Sequence, residues 1–81
     1  MYAYLSGELA QCDLQSAVVD CGGVGYLCNI TANTYREISG KPRVTLYTYL
    51  HVKEDALTLY GFADEKEKQF FLLLISISGV G

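Results

Sequence analysis

Three consecutive charged residues, Lys53, Glu54 and Asp55, lie at a predicted turn within HVKEDALTLYGF, residues 51–62. Apolar residues alternate on both sides, which predicts two strands joined by this turn. Adjacent carboxylates can serve as general acid and base, or can repel an anion such as phosphate. Acid–base catalysis needs a pocket, and a hairpin tip does not provide one. An ordinary solvated turn, where Asp is common, is the alternative.

Other residues that could serve catalysis or cofactor binding form no recognisable set. His51 is the only histidine, so no nucleophile–base pair is indicated. GVGYLC, residues 23–28, begins G-x-G but lacks the third glycine and lies inside a predicted hairpin, which argues against dinucleotide binding. Cys12, Cys21 and Cys28 have no zinc spacing and are expected to be buried free thiols in a reducing cytoplasm. We therefore expect no enzymatic activity, no metal and no cofactor.

The composition predicts one small, soluble and acidic domain. Half of the 81 residues are hydrophobic, and the net charge is −3. An acidic domain binds phosphate backbones poorly by itself, so nucleic-acid binding would need cations from another segment. The N-terminus lacks the features of a signal peptide, and the longest apolar run, residues 70–75, is too short to span a bilayer. A cytoplasmic location without membrane association is expected.

Turn signals divide the first 62 residues into short strands. Gly22 and Gly23 predict a two-residue hairpin turn, because this turn needs positive φ. The resulting register pairs Cys21 with Val24 and keeps Cys21 away from Cys28, so these two cysteines are not expected to form a disulfide. In chain order we expect a strand over 2–10, a hairpin over 14–31, a short helical segment over 32–38, a turn over 39–42, and strands over 43–52 and 57–62 joined by a four-residue loop.

The second hairpin is apolar on both faces. Pairing Val52 with Leu57 and Tyr49 with Tyr60 places an aliphatic set on one face and an aromatic set on the other. One face is expected to fill the core and the other to meet a neighbour. The tyrosines, including Tyr47, could stack bases, but packing is the alternative, and no basic groove supports stacking.

A helix is predicted after the strands. Asp64 suits an N-cap, and Glu67, three residues later, completes a capping-box pattern. The apolar stripe of this helix comprises Phe70, Phe71, Leu74 and Ile75. Residues 78–81, SGVG, fit either a glycine C-cap or half of a phosphate-binding hairpin. Five short strands and a helix favour a mainly β, five-stranded Greek-key barrel of OB type over a β-sandwich, which would need more strands.

Three stretches occur together in order: GGVGY at 22–26, KEDALTLYGF at 53–62 and FFLLLISISGVG at 70–81. They resemble the N-terminal part of the RuvA family of Holliday-junction branch-migration proteins, and the resemblance spans the whole chain. It implies that residues 1–62 form an OB barrel for oligomerisation and for the junction centre. It also implies that residues 63–81 begin a helix–hairpin–helix DNA-binding domain that is cut short here.

The resemblance further implies roles for individual residues. Glu54 and Asp55 match the acidic pin of the family, which surrounds the centre of the junction. Lys53 is a candidate phosphate contact, and so is the segment Gly79, Val80 and Gly81. The chain departs from the family pattern in its first strand, where it has Ala3, Tyr4 and Ser6, which puts backbone contacts from those positions in question.

The resemblance also implies partners. They are four-way junction DNA, three further copies of the chain in a homotetramer, the motor RuvB and the resolvase RuvC. The expected function is non-catalytic junction binding in homologous recombination and DNA repair. A stand-alone OB module that binds single strands, or a purely structural oligomerisation domain, is the alternative.

Overall fold

The computed structural model describes residues 2–77, and only the backbone of residue 77. Five strands close into a barrel in the order β1-β2-β3-β5-β4, with β4 paired back to β1. The β3–β5 pair is parallel and the other neighbours are antiparallel. This confirms a mainly β, OB-type barrel followed by one helix. The elements are β1 (Tyr4–Cys12), β2 (Ser16–Cys21), β3 (Val24–Asn29), α1 (Ala32–Ile38), β4 (Arg43–Lys53), β5 (Ala56–Phe62) and α2 (Glu65–Ile77).

The β2–β3 hairpin has the predicted turn and register. Gly22 and Gly23 adopt φ of 65° and 100°, which residues with a Cβ rarely adopt. The Asp20 carboxylate accepts a hydrogen bond from the Gly23 amide at 2.7 Å. Cys21 pairs with Val24, as predicted. The turn is therefore specified by local sequence.

Strand β1 lies two residues later than predicted, at Tyr4–Cys12 instead of 2–10. The reason is that β1 pairs with β4 through its first half and with β2 through its second, with an irregular register between Leu9 and Gln11. Asp13 ends the strand: its carboxylate accepts from the amides of Gln15 and Ser16 at 2.9 and 2.8 Å. These hydrogen bonds hold the pKa of Asp13 below its ordinary value.

Helix α1 lies between β3 and β4. Thr31 is its N-cap, and its hydroxyl accepts from the Thr34 amide at 3.0 Å. Ile38, in its last turn, belongs to the core cluster, and Gly40 follows with φ of 84°. The short helical segment over 32–38 and the turn after it are confirmed.

The buried core comprises Leu5, Ala17, Val19, Cys28, Ile38, Val44, Leu46 and Phe62. The expectation of buried thiols is correct for Cys28 and wrong for Cys12 and Cys21, which are partly exposed because each ends a strand. All three are free, as predicted. Within residues 2–77, no helix is long and apolar enough to cross a membrane.

Candidate nucleic-acid interface

The tip of the β4–β5 hairpin consists of Glu54 and Asp55 alone. The predicted pairs Val52–Leu57 and Tyr49–Tyr60 are present, but the ladder continues to Lys53–Ala56. The predicted four-residue loop is therefore wrong, and the turn has two residues. Both carboxylates are exposed at the end of the hairpin. Because the turn has two residues and both are acidic, the negative charge lies at the tip of the hairpin.

The aromatic face of the hairpin is held by α2. The Phe71 ring lies 5.1 Å from that of Tyr60, 5.2 Å from that of Phe62 and 6.1 Å from that of Tyr49. Tyr49 and Tyr60 also stack on each other, with centroids 6.4 Å apart. The neighbour predicted for this face is thus the helix of the same chain. Because the rings of Tyr49 and Tyr60 contact Phe71, a packing role is favoured over base stacking for these two tyrosines.

The aliphatic face changes from buried to exposed along the hairpin. Leu46 and Thr48 are fully buried, whereas Val52 and Leu57, directly opposite each other, are 61% and 70% exposed. The hairpin therefore extends past the barrel core, and only the base of the hairpin contributes side chains to the core. Two large apolar side chains lie next to the acidic tip without cover from the described residues.

Lys53 is exposed and lies immediately before the carboxylates. On the α2 side of the hairpin, an open cleft is lined by His51, Lys53, Thr58, Tyr60, Phe71 and Ile75. An ammonium group can bind phosphate as a point charge, whereas the two carboxylates repel it. The hairpin end thus combines one attractive and two repulsive groups for an anionic backbone.

The other predicted site residues are distributed differently. Gly79, Val80 and Gly81 lie outside the described residues. In β1, the Ser6 hydroxyl lies 3.0 Å from that of Thr45, and the Tyr4 ring is 6.4 Å from that of Tyr47. These two β1 side chains therefore contact β4 at positions away from the hairpin tip.

Sequence reasoning missed a second polar cluster, between α1 and α2. Asp64 caps α2 as predicted, accepting from the Lys66 amide at 2.7 Å. Glu67, assigned to the capping box, instead accepts from the hydroxyls of Thr31 and Thr34 at 2.7 and 2.8 Å. Thr31 and Glu67 are 36 residues apart, so no local pattern could have indicated their contact.

Residues 2–77 contain no group of three or more His, Cys, Asp or Glu side chains placed to hold a metal ion.

Comparison with known proteins agrees with this geometry. The family model described as the RuvA N-terminal domain matches residues 1–61. The "Holliday junction branch migration complex subunit RuvA" of Bacteroides thetaiotaomicron is 54% identical over 81 residues, covering the whole chain and 40% of that protein. The protein of the same name from Prosthecochloris aestuarii is 54% identical over 82 residues, covering 41% of its length.

The chain therefore spans about two fifths of the length of these relatives. The match over residues 1–61 includes β1 to β4, β5 up to Gly61, and the acidic tip of the hairpin. The chain belongs to the RuvA N-terminal domain family.

Proposed function

We propose that the chain is the barrel and first helix of a subunit that binds Holliday junctions during homologous recombination and DNA repair. The relatives are named as a subunit of the Holliday junction branch migration complex, which supports this role. The observation that carries the proposal is the two-residue tip of the β4–β5 hairpin. There Glu54 and Asp55 are exposed at the end of a hairpin whose aromatic face packs against α2.

In this proposal, Glu54 and Asp55 form an acidic pin at the junction centre. A carboxylate and a phosphate about 6 Å apart repel each other by roughly 0.7 kcal/mol in water and about 3 kcal/mol at an effective dielectric constant of 20. Four subunits around a fourfold axis would bring eight carboxylates together. Their summed repulsion keeps the duplex backbone away from the centre and guides the separated strands past it.

Positive and apolar groups supply the remaining contacts. Lys53 binds a phosphate next to the pin, and the segment Gly79, Val80 and Gly81 contributes backbone amides to another phosphate. Val52 and Leu57, exposed beside the tip, favour contact with further copies of the chain in a homotetramer. The resemblance to the family implies that further helical regions hold the arms of the junction.

The subunit itself is non-catalytic and needs no cofactor. In the cytoplasm it presents the junction to the ATP-driven motor RuvB, and the resolvase RuvC acts on the same junction. The alternative of a stand-alone module that stacks single strands is less favoured, because Tyr49 and Tyr60 contact Phe71.

Reversing the charge of the pin tests this function. In the full-length protein, Glu54→Lys with Asp55→Lys is expected to change the branch-migration rate driven by the motor at least tenfold. The thermal midpoint should change little, because both side chains are exposed and lie in a turn. Branch migration of a synthetic four-way junction and thermal unfolding are the two measurements.

The matched control is Glu37→Lys with Glu65→Lys, which changes two exposed carboxylates outside the hairpin by the same total charge. It should leave branch migration within about twofold of the unmodified protein. A large loss of stability with unaltered branch migration in the hairpin variant would refute the pin assignment.

A further inference from the structure

The polar cluster between α1 and α2 connects three parts of the chain. Glu67 of α2 accepts hydrogen bonds from Thr31 and Thr34 through its two carboxylate oxygens. The Thr34 hydroxyl also accepts from the amide of Ala63, just after β5, at 3.1 Å. Thr34 is fully buried and Glu67 is partly buried. The cluster therefore ties the start of α2 to α1 and to the end of the barrel.

Helix α2 meets the rest of the chain along one face, through Glu67 at α1 and through Phe71 and Ile75 at the hairpin. Glu67 and Phe71 are four residues apart, so they lie one above the other on the helix surface. Only Ala63 and Asp64 separate α2 from β5. A single contact near such a short connection would let the helix pivot, whereas two contacts one turn apart define the direction of its axis.

The two contacts differ in how strictly they set this direction. The Phe71 contact is apolar and non-directional, and ring pairs are favourable over a range of centroid distances and angles. The hydrogen bonds of Glu67 require donor–acceptor distances within a few tenths of an ångström and near-linear angles. Their acceptor is charged, which strengthens them further. The direction of α2 is thus decided chiefly at Glu67.

We propose that Glu67, held by Thr31 and Thr34, is a positioning residue that sets the angle at which α2 leaves the barrel. Resting on the proposed function, this angle decides where the following DNA-binding segment lies relative to the acidic hairpin tip. With a rise of about 1.5 Å per residue, a tilt of about 10° at Glu67 moves the end of α2 by about 3 Å. Such a shift is about as long as the donor–acceptor distance of a hydrogen bond.

The test compares Glu67→Ala with Glu67→Gln and with the matched control Glu65→Ala. Glu65 is an exposed carboxylate in the same first turn. Glutamine retains one acceptor oxygen, and its amide can donate to the second lone pair of a threonine hydroxyl. Residual dipolar couplings of the 81-residue chain report the orientation of α2 against the barrel. Affinity of the full-length protein for a synthetic four-way junction reports the consequence.

In Glu67→Ala, the couplings of α2 should no longer fit the alignment of the barrel, and the Kd for the junction should rise at least tenfold. Glu67→Gln and Glu65→Ala should keep the native orientation and a Kd within about threefold. An unchanged α2 orientation in Glu67→Ala would overturn the positioning role. So would unfolding of the barrel itself, because the cluster would then be a general stability element.

The two proposals fail in different ways. A changed orientation with unchanged junction affinity would refute the link between Glu67 and DNA placement. If the unmodified full-length protein did not bind the junction, the proposed function would be wrong, and the dipolar couplings would still decide whether Glu67 orients α2.

Discussion

The last three residues of β5 differ in their burial and neighbours, although Tyr60 and Phe62 both contact Phe71. Tyr60 faces out from the barrel and contacts Phe71. Gly61 faces the core, where a Cβ would lie 2.9 Å from Leu46 Cδ1 and 3.1 Å from Cys28 Cβ. Phe62 is 1% exposed beneath α2. Each residue type is required by what lies next to it, and the strand that carries the acidic tip is held on both faces at its base.

At the residue scale, Cys28 is expected to be the protected thiol. It is fully buried, and burial, with a smaller contribution from Cys21, raises its pKa to about 11. At pH 8 an alkylating reagent should modify the partly exposed Cys12 and Cys21 at least tenfold faster than Cys28, because only the thiolate reacts and access is required. Mass spectrometry of peptides from the native chain measures the three rates. Equal rates for all three would contradict the burial of Cys28.

The raised pKa of Cys28 also predicts a pH dependence of stability. Its ordinary value is 9.0, so between pH 9 and 11 the unfolded thiol loses its proton while the folded one keeps it. The free energy of unfolding should therefore fall as pH rises through this range, and be insensitive to Cys28 below pH 8. Denaturant titrations of the wild-type chain and of Cys28→Ala at several pH values measure the effect as the difference between the two slopes. Parallel pH profiles would show that Cys28 is not responsible.

At the element scale, α2 carries a broad apolar stripe of which the barrel covers only part. Phe71 and Ile75 face the hairpin, whereas Phe70 and Leu74 are 60% and 48% exposed. The predicted stripe was therefore correct as a periodicity, but the helix buries one edge of it. Glu67, a polar residue, lies on the buried edge, where it accepts hydrogen bonds from Thr31 and Thr34.

The closeness of β1 and β2 gives a prediction at this scale. At Gly7 of β1, a Cβ would collide with the backbone carbonyl of Asp20, which cannot move without disturbing the β1–β2 ladder. Gly7→Ala should lower the free energy of unfolding by about 3 kcal/mol. Gly25→Ala is the matched control, because its Cβ would meet only the side chain of Val18, at 3.2 Å. Denaturant unfolding compares the two, and an equal loss in both would contradict the predicted clash.

At the scale of the whole molecule, the long β4–β5 hairpin projects from the closed barrel. The strand order brings β4 back to β1, and the tip extends past the buried core with Val52 and Leu57 exposed. Apolar side chains in such a position favour association. The proposed homotetramer would cover them and place the acidic tips close to one another.

Assembly is therefore expected to depend on Leu57. Leu57→Glu should shift the solution mass of the full-length protein from tetramer towards smaller species, because assembly would bury an unpaired charge. The control is Leu14→Glu, which introduces the same change at a side chain 58% exposed in the β1–β2 connection. Light scattering after size exclusion measures both masses. A tetrameric Leu57→Glu variant would exclude the hairpin face from the interface.

The sequence alone determined the features that depend on near neighbours. Paired glycines, alternating strands and the Asp64 cap specify their structures within a few residues, so both hairpin registers and the α2 start were predictable. Tertiary structure alone decided which edge of α2 is buried, how far the acidic hairpin extends, and that Glu67 binds Thr31 and Thr34. These features depend on the tertiary fold, which brings together residues more than 30 positions apart in the sequence. A local sequence pattern cannot predict such contacts.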